Sequence, residues 1–230
     1  MDRFVQPELL DELPARDPRA MRSRRDLRRL NTWMRHHEMM ARALQATANG
    51  EVSHQLVELG AGDGHFLLNV ARRLNGRWHN ADATLVDRLD TFDVRTCARF
   101  QALDWRVNAE VADAVEWLAR SPARIAGTVV ANLFLHQYAM TTLRELLRRA
   151  AESARVFIAV EPRRGIWPLF CSRFVGLIGC GSVTRHDAPA SVRAGFAGGE
   201  LSALWPDRDW LLTERHAGLF SHLFIAQRKG

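Results

Sequence analysis

Hydrophobic spacing along the chain changes character twice. In the stretch SRRDLRRLNTWMRHHEMMARAL, which begins at Ser23, residues Leu27, Leu30, Met34, His37, Ala41 and Leu44 recur at intervals of three and four. That spacing sets them on one face of a helix. Ser23 is the expected N-cap and Asn49-Gly50 the expected stop. Residues 1–20 hold three prolines, scattered charge and no period, which reads as a loosely ordered arm.

From residue 54 the pattern becomes an alternation. HQLVELG is a short apolar run and reads as a strand. GAGDGHFLLNVARRLNG reads as a glycine turn and a helix, with Phe66, Leu67, Val70 and Leu74 on one face and Asn75-Gly76 as its stop. ADATLVD is a second strand ending in an acid, and RTCARF a helix. WRVNAEVADAVEWLAR reads as strand, loop and short helix. GTVVANLFLH is a strand running into a loop, TTLRELLRRAAES a helix, and ARVFIAVEP a strand ended by Pro162. Strand and helix alternate five times, which predicts an α/β fold with a mostly parallel sheet and helices on both faces. After Pro162 the alternation stops. Residues 163–205 show no period, and DWLLTERHAGLFSHLFIAQRK then splits at Ala217-Gly218 into a hairpin.

Length and composition narrow the class. The 230 residues suffice for one α/β domain with a modest extra element. No run approaches the roughly 18 apolar residues of a membrane span, and the first residues lack the apolar core of a secretory signal. Cys97, Cys171 and Cys180 form no CxxC and no other metal-ligand spacing, so they read as reduced, mostly buried thiols of a cytoplasmic protein. The net charge is +6, carried almost wholly by arginine, since Lys229 is the single lysine. A basic chain admits a nucleic-acid partner, although arginine bias also follows genome composition. Arginines 22, 24, 25, 28 and 29 crowd the start of the first helix, against its dipole. Their expected partners are the acids at 8, 11 and 12, with ligand phosphates as the alternative.

The sharpest motif is Val57-Glu58-Leu59-Gly60-Ala61-Gly62-Asp63-Gly64, at a strand-to-helix turn. Glycines there let the backbone turn tightly and approach a ligand. A dinucleotide loop needs GxGxxG. Here the spacing is GxGxG, and His65 stands where the last glycine belongs. Glu58, two residues before the first glycine, would repel a pyrophosphate and suit a cationic ligand. No GK[ST] follows, which excludes a P-loop.

VELGAGDGHF resembles motif I of the class I S-adenosylmethionine (SAM)-dependent methyltransferases. The resemblance extends over about residues 54–162, and the closing hairpin fits it. It implies a Rossmann-like methyltransferase fold with a mostly parallel seven-stranded sheet, helices on both faces and an antiparallel C-terminal hairpin. It also implies an arm and helical lid over 1–50, a SAM-binding domain over 51–230 and an insertion at about 163–205. The cofactor residues implied are Glu58, Gly60, Ala61, Gly62 and Gly64 in the loop, Asp87 with Arg88 at the ribose, and Ala112, Asp113 and Ala114 at the adenine. Asn132 would face the sulfonium through a carbonyl dipole. A carboxylate can grip a ribose diol with two acceptor oxygens. The plainer alternatives are that Asp87 caps the next helix and Asp113 is an N-cap.

Methyl transfer needs alignment above all, and a base only where the acceptor must lose a proton. His136, in Asn132-Leu133-Phe134-Leu135-His136-Gln137, has the best location for that base, and ubiquinone-type methyltransferases read similarly there. His186, beside Asp187, and His37, on the apolar face of the first helix, are the other candidates. Asp187 is equally an N-cap for the stretch that follows it. The chain has no PP and no Pro-Cys pair, which speaks against DNA amino- and C5-methylating enzymes. The apolar stretches around Trp167 and Val175 fit a cap or tunnel for an apolar acceptor, a homodimer face or plain core. The C-terminal region resembles bacterial methyltransferases found with type III polyketide synthases, which implies a small phenolic or polyketide-type acceptor and favours O-methylation. RNA methylation and an inactive methyltransferase-fold scaffold are the alternatives.

Overall fold

Seven strands form one sheet: β1 (Gln55–Leu59), β2 (Ala81–Asp87), β3 (Trp105–Val111), β4 (Thr128–Asn132), β5 (Val156–Pro162), β6 (Trp210–Ala217) and β7 (Ser221–Arg228). The computed structural model describes residues 1–48, 54–74, 77–120, 127–206 and 209–229. The stops expected at Asn49-Gly50 and Asn75-Gly76 lie outside them. The strand order is β3-β2-β1-β4-β5-β7-β6. The pairings among β1–β5 are parallel, while β7 runs antiparallel to both β5 and β6. The order reverses between β1 and β4, which opens a crevice at the carboxyl ends of those strands, where α/β sheets bind ligands.

The helices are α1 (Leu9–Glu12), α2 (Pro18–Trp33), α3 (His36–Thr47), α4 (His65–Leu74), α5 (Val94–Gln101), α6 (Ala114–Arg120), α7 (Met140–Ser153), α8 (Ile166–Ser172), α9 (Ser182–Ala194) and α10 (Glu200–Leu204). Side chains alternate across the strands. Leu56, Leu85, Val130 and Ile158 pack with Met40, Leu44, Leu67 and Val70 of α3 and α4 on one face. Val57, Val129, Ala131 and Phe157 pack with Leu118, Leu143, Leu146 and Leu201 of α6, α7 and α10 on the other.

Several expectations change. The single N-terminal helix is two, broken where Arg35 turns left-handed at φ 59°. Its cap is Asp17, which accepts from the Arg19 N–H ahead of Pro18 at the first position, whereas Ser23 lies buried in the helix against Thr184. The arm is anchored: the Arg3 guanidinium donates to the carbonyls of Ala194, His136 and Tyr138 at 2.8–3.0 Å. The segment between β5 and β6 is helical. Asp187 sits inside α9 and caps α1 instead, accepting from the Leu9 and Leu10 N–H groups. The arginine cluster also finds other partners than acids 8, 11 and 12. Arg28 pairs with Asp63 and Arg29 with Asp26, while Arg24 donates to the Ala15 carbonyl.

Candidate active site

A cavity of about 500 Å³ lies at the carboxyl edge of β1, β2, β3 and β4. Nine of the eleven cofactor candidates line it: Gly60, Ala61, Gly62, Asp87, Arg88, Ala112, Asp113, Ala114 and Asn132. Gly64 and Glu58 lie behind the wall. Gly60 and Gly62 adopt φ of +69° and +56°, which L side chains resist. A Cβ on Gly60 would stand 2.2 Å from the Phe134 ring, while one on Gly62 would meet open space. Gly64 serves packing, since its Cβ would press on Leu85 and Phe92.

The loop N–H groups are already committed. Gly60 and Ala61 donate to the Val86 carbonyl, and Gly62 donates to Asp87 Oδ2 at 2.8 Å. Few donors remain for a pyrophosphate. The charge leans the same way: the four acids Asp11, Asp63, Asp87 and Asp113 line the cavity with three arginines, Arg24, Arg28 and Arg88, of which Arg28 pairs with Asp63. Glu58 is 2% exposed, and its Oε2 has no hydrogen-bond partner. Burial, then the charges of Asp63 and Asp87, raise its carboxyl well above the ordinary range. A buried acid with an unused oxygen, behind an acidic cavity, suits a ligand carrying an ammonium group.

The capping alternative holds for Asp113 and fails for Asp87, since Asp93 caps α5. Asp87 Oδ1 accepts from the Leu89 N–H at 2.8 Å and Oδ2 from Gly62, which leaves each oxygen a further lone pair. Asp113 Oδ1 caps α6 through Val115 and Glu116, and its Oδ2 remains for a ligand. Asn132 departs from expectation. Its side-chain oxygen is 2.9 Å from His36 Nδ1, and its amide donates to Asn31 Oδ1. It therefore ties the sheet edge to α2 and α3. His36 Nε2 in turn meets Ser221 Oγ at 2.7 Å, and burial lowers its pKa to about 4. The neutral ring donates from Nδ1 to Asn132 and accepts from the Ser221 hydroxyl.

A second cavity of about 380 Å³ adjoins the first and is walled by Leu27, Leu30, Trp33, Phe174, Val175 and Val192, with Glu8, His136 and Ser191 among its polar groups. Leu10, Leu27, Leu133 and Gln137 line both cavities. Leu133 holds a left-handed backbone at φ 51°, a strained state for a leucine, at this partition.

The three histidine candidates separate. His136 lines the second cavity, with Nδ1 2.8 Å from Glu161 Oε2 and Nε2 3.2 Å from Glu8 Oε1. Burial opposes its charge, but the hydrogen bonds and charges of Glu161 and Glu8 outweigh that and raise its pKa to about 10. It is an imidazolium clamped between two carboxylates, not the free base expected. His37 lines the first cavity, tilted against Phe66, and burial lowers its pKa to about 4. His186 is half exposed, bonded to Asp187, and lines neither cavity.

Glu161 and Glu8 were missed from sequence. Glu161, fully buried, accepts from the N–H groups of Phe134, Leu135 and His136 and so builds the turn that carries His136. Its signal was available: an acid in an apolar run at a strand's carboxyl end. Glu8 lies in the arm, where nothing in the pattern marks it. Its second contact is the Ser191 hydroxyl.

No family model matches the chain, and no curated protein matches it in sequence. Solved structures share its fold. The plantazolicin methyltransferase BpumL, solved with S-adenosylhomocysteine (SAH), is 12% identical over 93% of this chain and 92% of that one, with a TM-score of 0.63. An O-methyltransferase family protein from Burkholderia thailandensis is 19% identical over 94% of this chain and 61% of that one, with a TM-score of 0.59. The mitomycin 7-O-methyltransferase MmcR is 15% identical over 95% and 60%, with a TM-score of 0.57. The chain thus has the Rossmann-like methyltransferase fold. It spans about three fifths of the length of the last two.

Proposed function

We propose that the protein transfers a methyl group from SAM to a small, apolar acceptor, at a phenolic oxygen of a polyketide-type aromatic or pyrone. The observation that carries this reading is the pair of cavities, one acidic and glycine-lined, one apolar, parted only by Leu10, Leu27, Leu133 and Gln137. SAM supplies the activated methyl group. The residues that would hold it are Asp87 and Arg88 at the ribose, Asp113 with Ala112 and Ala114 at the adenine, and the Gly60–Gly62 loop backed by Glu58 at the amino-acid end.

The chain's own groups orient the acceptor and manage its proton. The apolar walls exclude water and hold a ring or tail by burial. Glu8, His136 and Glu161 form one hydrogen-bonded unit. A phenol entering beside Glu8 would pass its proton to the Glu8 carboxylate, and the protonated His136 ring would hold the phenolate so formed.

RNA methylation remains the second reading, favoured by the arginines of α2. The apolar lining of the acceptor cavity supports a small molecule instead. Calorimetric titration with SAH, with NADH as control, tests the cofactor, and mass spectrometry of alkylated phenols incubated with SAM tests the acceptor. Micromolar SAH binding with a product 14 mass units heavier, roughly one added CH₂, is expected of alignment-driven transfer. Absence of SAH binding would leave a scaffold role.

A further inference from the structure

α8 and the turn Val175–Ile178 carry apolar side chains that the rest of the chain leaves uncovered. Ile166 is 82% exposed, Trp167 75% and Leu177 84%, and Phe170, Phe174 and Ile178 are about half exposed. The rings are continuous: Trp167 and Phe170 lie 6.1 Å apart between centroids, and Phe170 and Phe174 5.0 Å. Scattered single apolar residues on a surface need no explanation, but a contiguous patch of this kind marks an interaction site.

Charge selects the occupant. The Arg22 and Arg29 guanidinium groups donate to the Gly179 carbonyl at 3.5 and 3.3 Å. The Arg185 side chain lies against Gly176, and the Arg22 stem against Gly181. Arg173, exposed, follows α8 directly. Residues 18–33 and 163–199 together contain eleven arginines and two acids, Asp26 and Asp187. Both acids are buried and engaged in hydrogen bonds. Of the eleven arginines, Arg22, Arg29, Arg173 and Arg185 lie at the apolar patch, while Arg19 pairs with Asp17, Arg28 with Asp63 and the buried Arg164 with Glu200. A second copy meeting this face with its own would set arginine against arginine. A surface of anionic headgroups would instead give each guanidinium a phosphate to fork onto, while the indole and aliphatic groups enter the acyl boundary.

We propose that this face docks the protein on an anionic phospholipid bilayer. Trp33, Phe174, Leu177 and Ile178 are exposed and also line the apolar cavity, so the cavity opens within the docked face. On the methyltransferase reading above, an acceptor with an alkyl tail would pass from the bilayer into the cavity without its tail entering water. The docking itself does not depend on that reading.

The test is co-sedimentation of the full chain with vesicles of phosphatidylcholine, with and without phosphatidylglycerol. Binding at least about tenfold stronger with phosphatidylglycerol and weakened by salt is expected. Brominated lipids should quench tryptophan emission, and less so in Trp167→Ser. The pair Ile166→Ser/Trp167→Ser, and separately Arg173→Glu, lie outside both cavities. Each should weaken vesicle binding several-fold, Arg173→Glu by roughly fivefold or more, with unfolding temperature and SAH affinity unchanged. Wild type that stays in the supernatant with anionic vesicles would overturn the proposal. So would variants that bind vesicles as wild type does, a dimer in sedimentation velocity that only the variants lose, or capture of this face by RNA with no vesicle binding. SAH affinity on the same preparations separates failure of docking from failure of the methyltransferase reading.

Discussion

His136 Nδ1 stands 2.8 Å from Glu161 Oε2, and the same carboxylate accepts three backbone N–H groups of the turn that carries the histidine. One buried acid thus shapes the turn and sets the charge of its histidine. Glu161→Gln keeps the shape but replaces one acceptor oxygen by a donor. The His136 pKa should fall from about 10, the pH profile of turnover should shift, and SAH affinity should stay near wild type. Global stability should drop by about 3–5 kcal/mol, the scale of breaking a buried ion pair. Histidine NMR titration and denaturant unfolding read the two effects. An unmoved pH profile would sink the positioning role.

Asp87→Ala removes the acceptor for both the Gly62 and Leu89 N–H groups. SAH affinity should weaken by about 1–3 kcal/mol, the scale of a lost charged hydrogen bond. Calorimetry that finds unchanged affinity would remove Asp87 from the cofactor site.

Gly60→Ala combines a left-handed backbone with a methyl group driven into Phe134. Loss of SAH binding is expected, with the ring displaced toward the cavity. The double variant Gly60→Ala/Phe134→Leu should recover part of the affinity, because the clash is then relieved while the φ strain stays. No recovery would mean that backbone strain alone is responsible.

Histidines bound the pH range of stability from opposite sides. His36 and His37 each fall to about 4 on folding. The unfolded chain therefore binds more protons between about pH 6.5 and 4, and stability drops as pH falls through that window, by up to about 3 kcal/mol for His36. His136 rises to about 10, so its contribution is complete below about pH 6.5 and is lost as pH climbs toward 10. Thermal unfolding across pH should show both flanks. His36→Gln should shrink the acid flank to the part His37 contributes and leave the alkaline one.

Arg3→Ala should free the arm by removing its donation to three carbonyls. Faster proteolytic cleavage before α2 is expected, together with a lower His136 pKa as Glu8 withdraws. Equal cleavage rates would mean that the remaining arm contacts suffice.

Period and motif made most of the sheet legible. β1, β2, β4 and β5 are short branched runs, and the glycine loop with Asp87 marks the crevice. The legible part of the site is the part fixed by local sequence at strand ends. What pattern could not supply comes from long-range packing. The break at Met34-Arg35 is invisible because Leu30, Met34 and His37 keep helical spacing across it. The insertion lacked a period because α8 and α10 are short, and α8 and α9 line a cavity, so their apolar residues point both inward and outward. Glu8 meets His136 across 128 positions, a separation that no local pattern encodes.

The partition formed by Leu10, Leu27, Leu133 and Gln137 also has an evolutionary side. On the proposed function, donor recognition would rest on the loops after β1, β2 and β3, whereas the apolar cavity offered to the acceptor is walled by α2, α8 and α9. Mutations can therefore remodel the guest that is accepted while the donor machinery stays constant. Drift in the α8–α9 segment is where new chemistry on this scaffold would arise first.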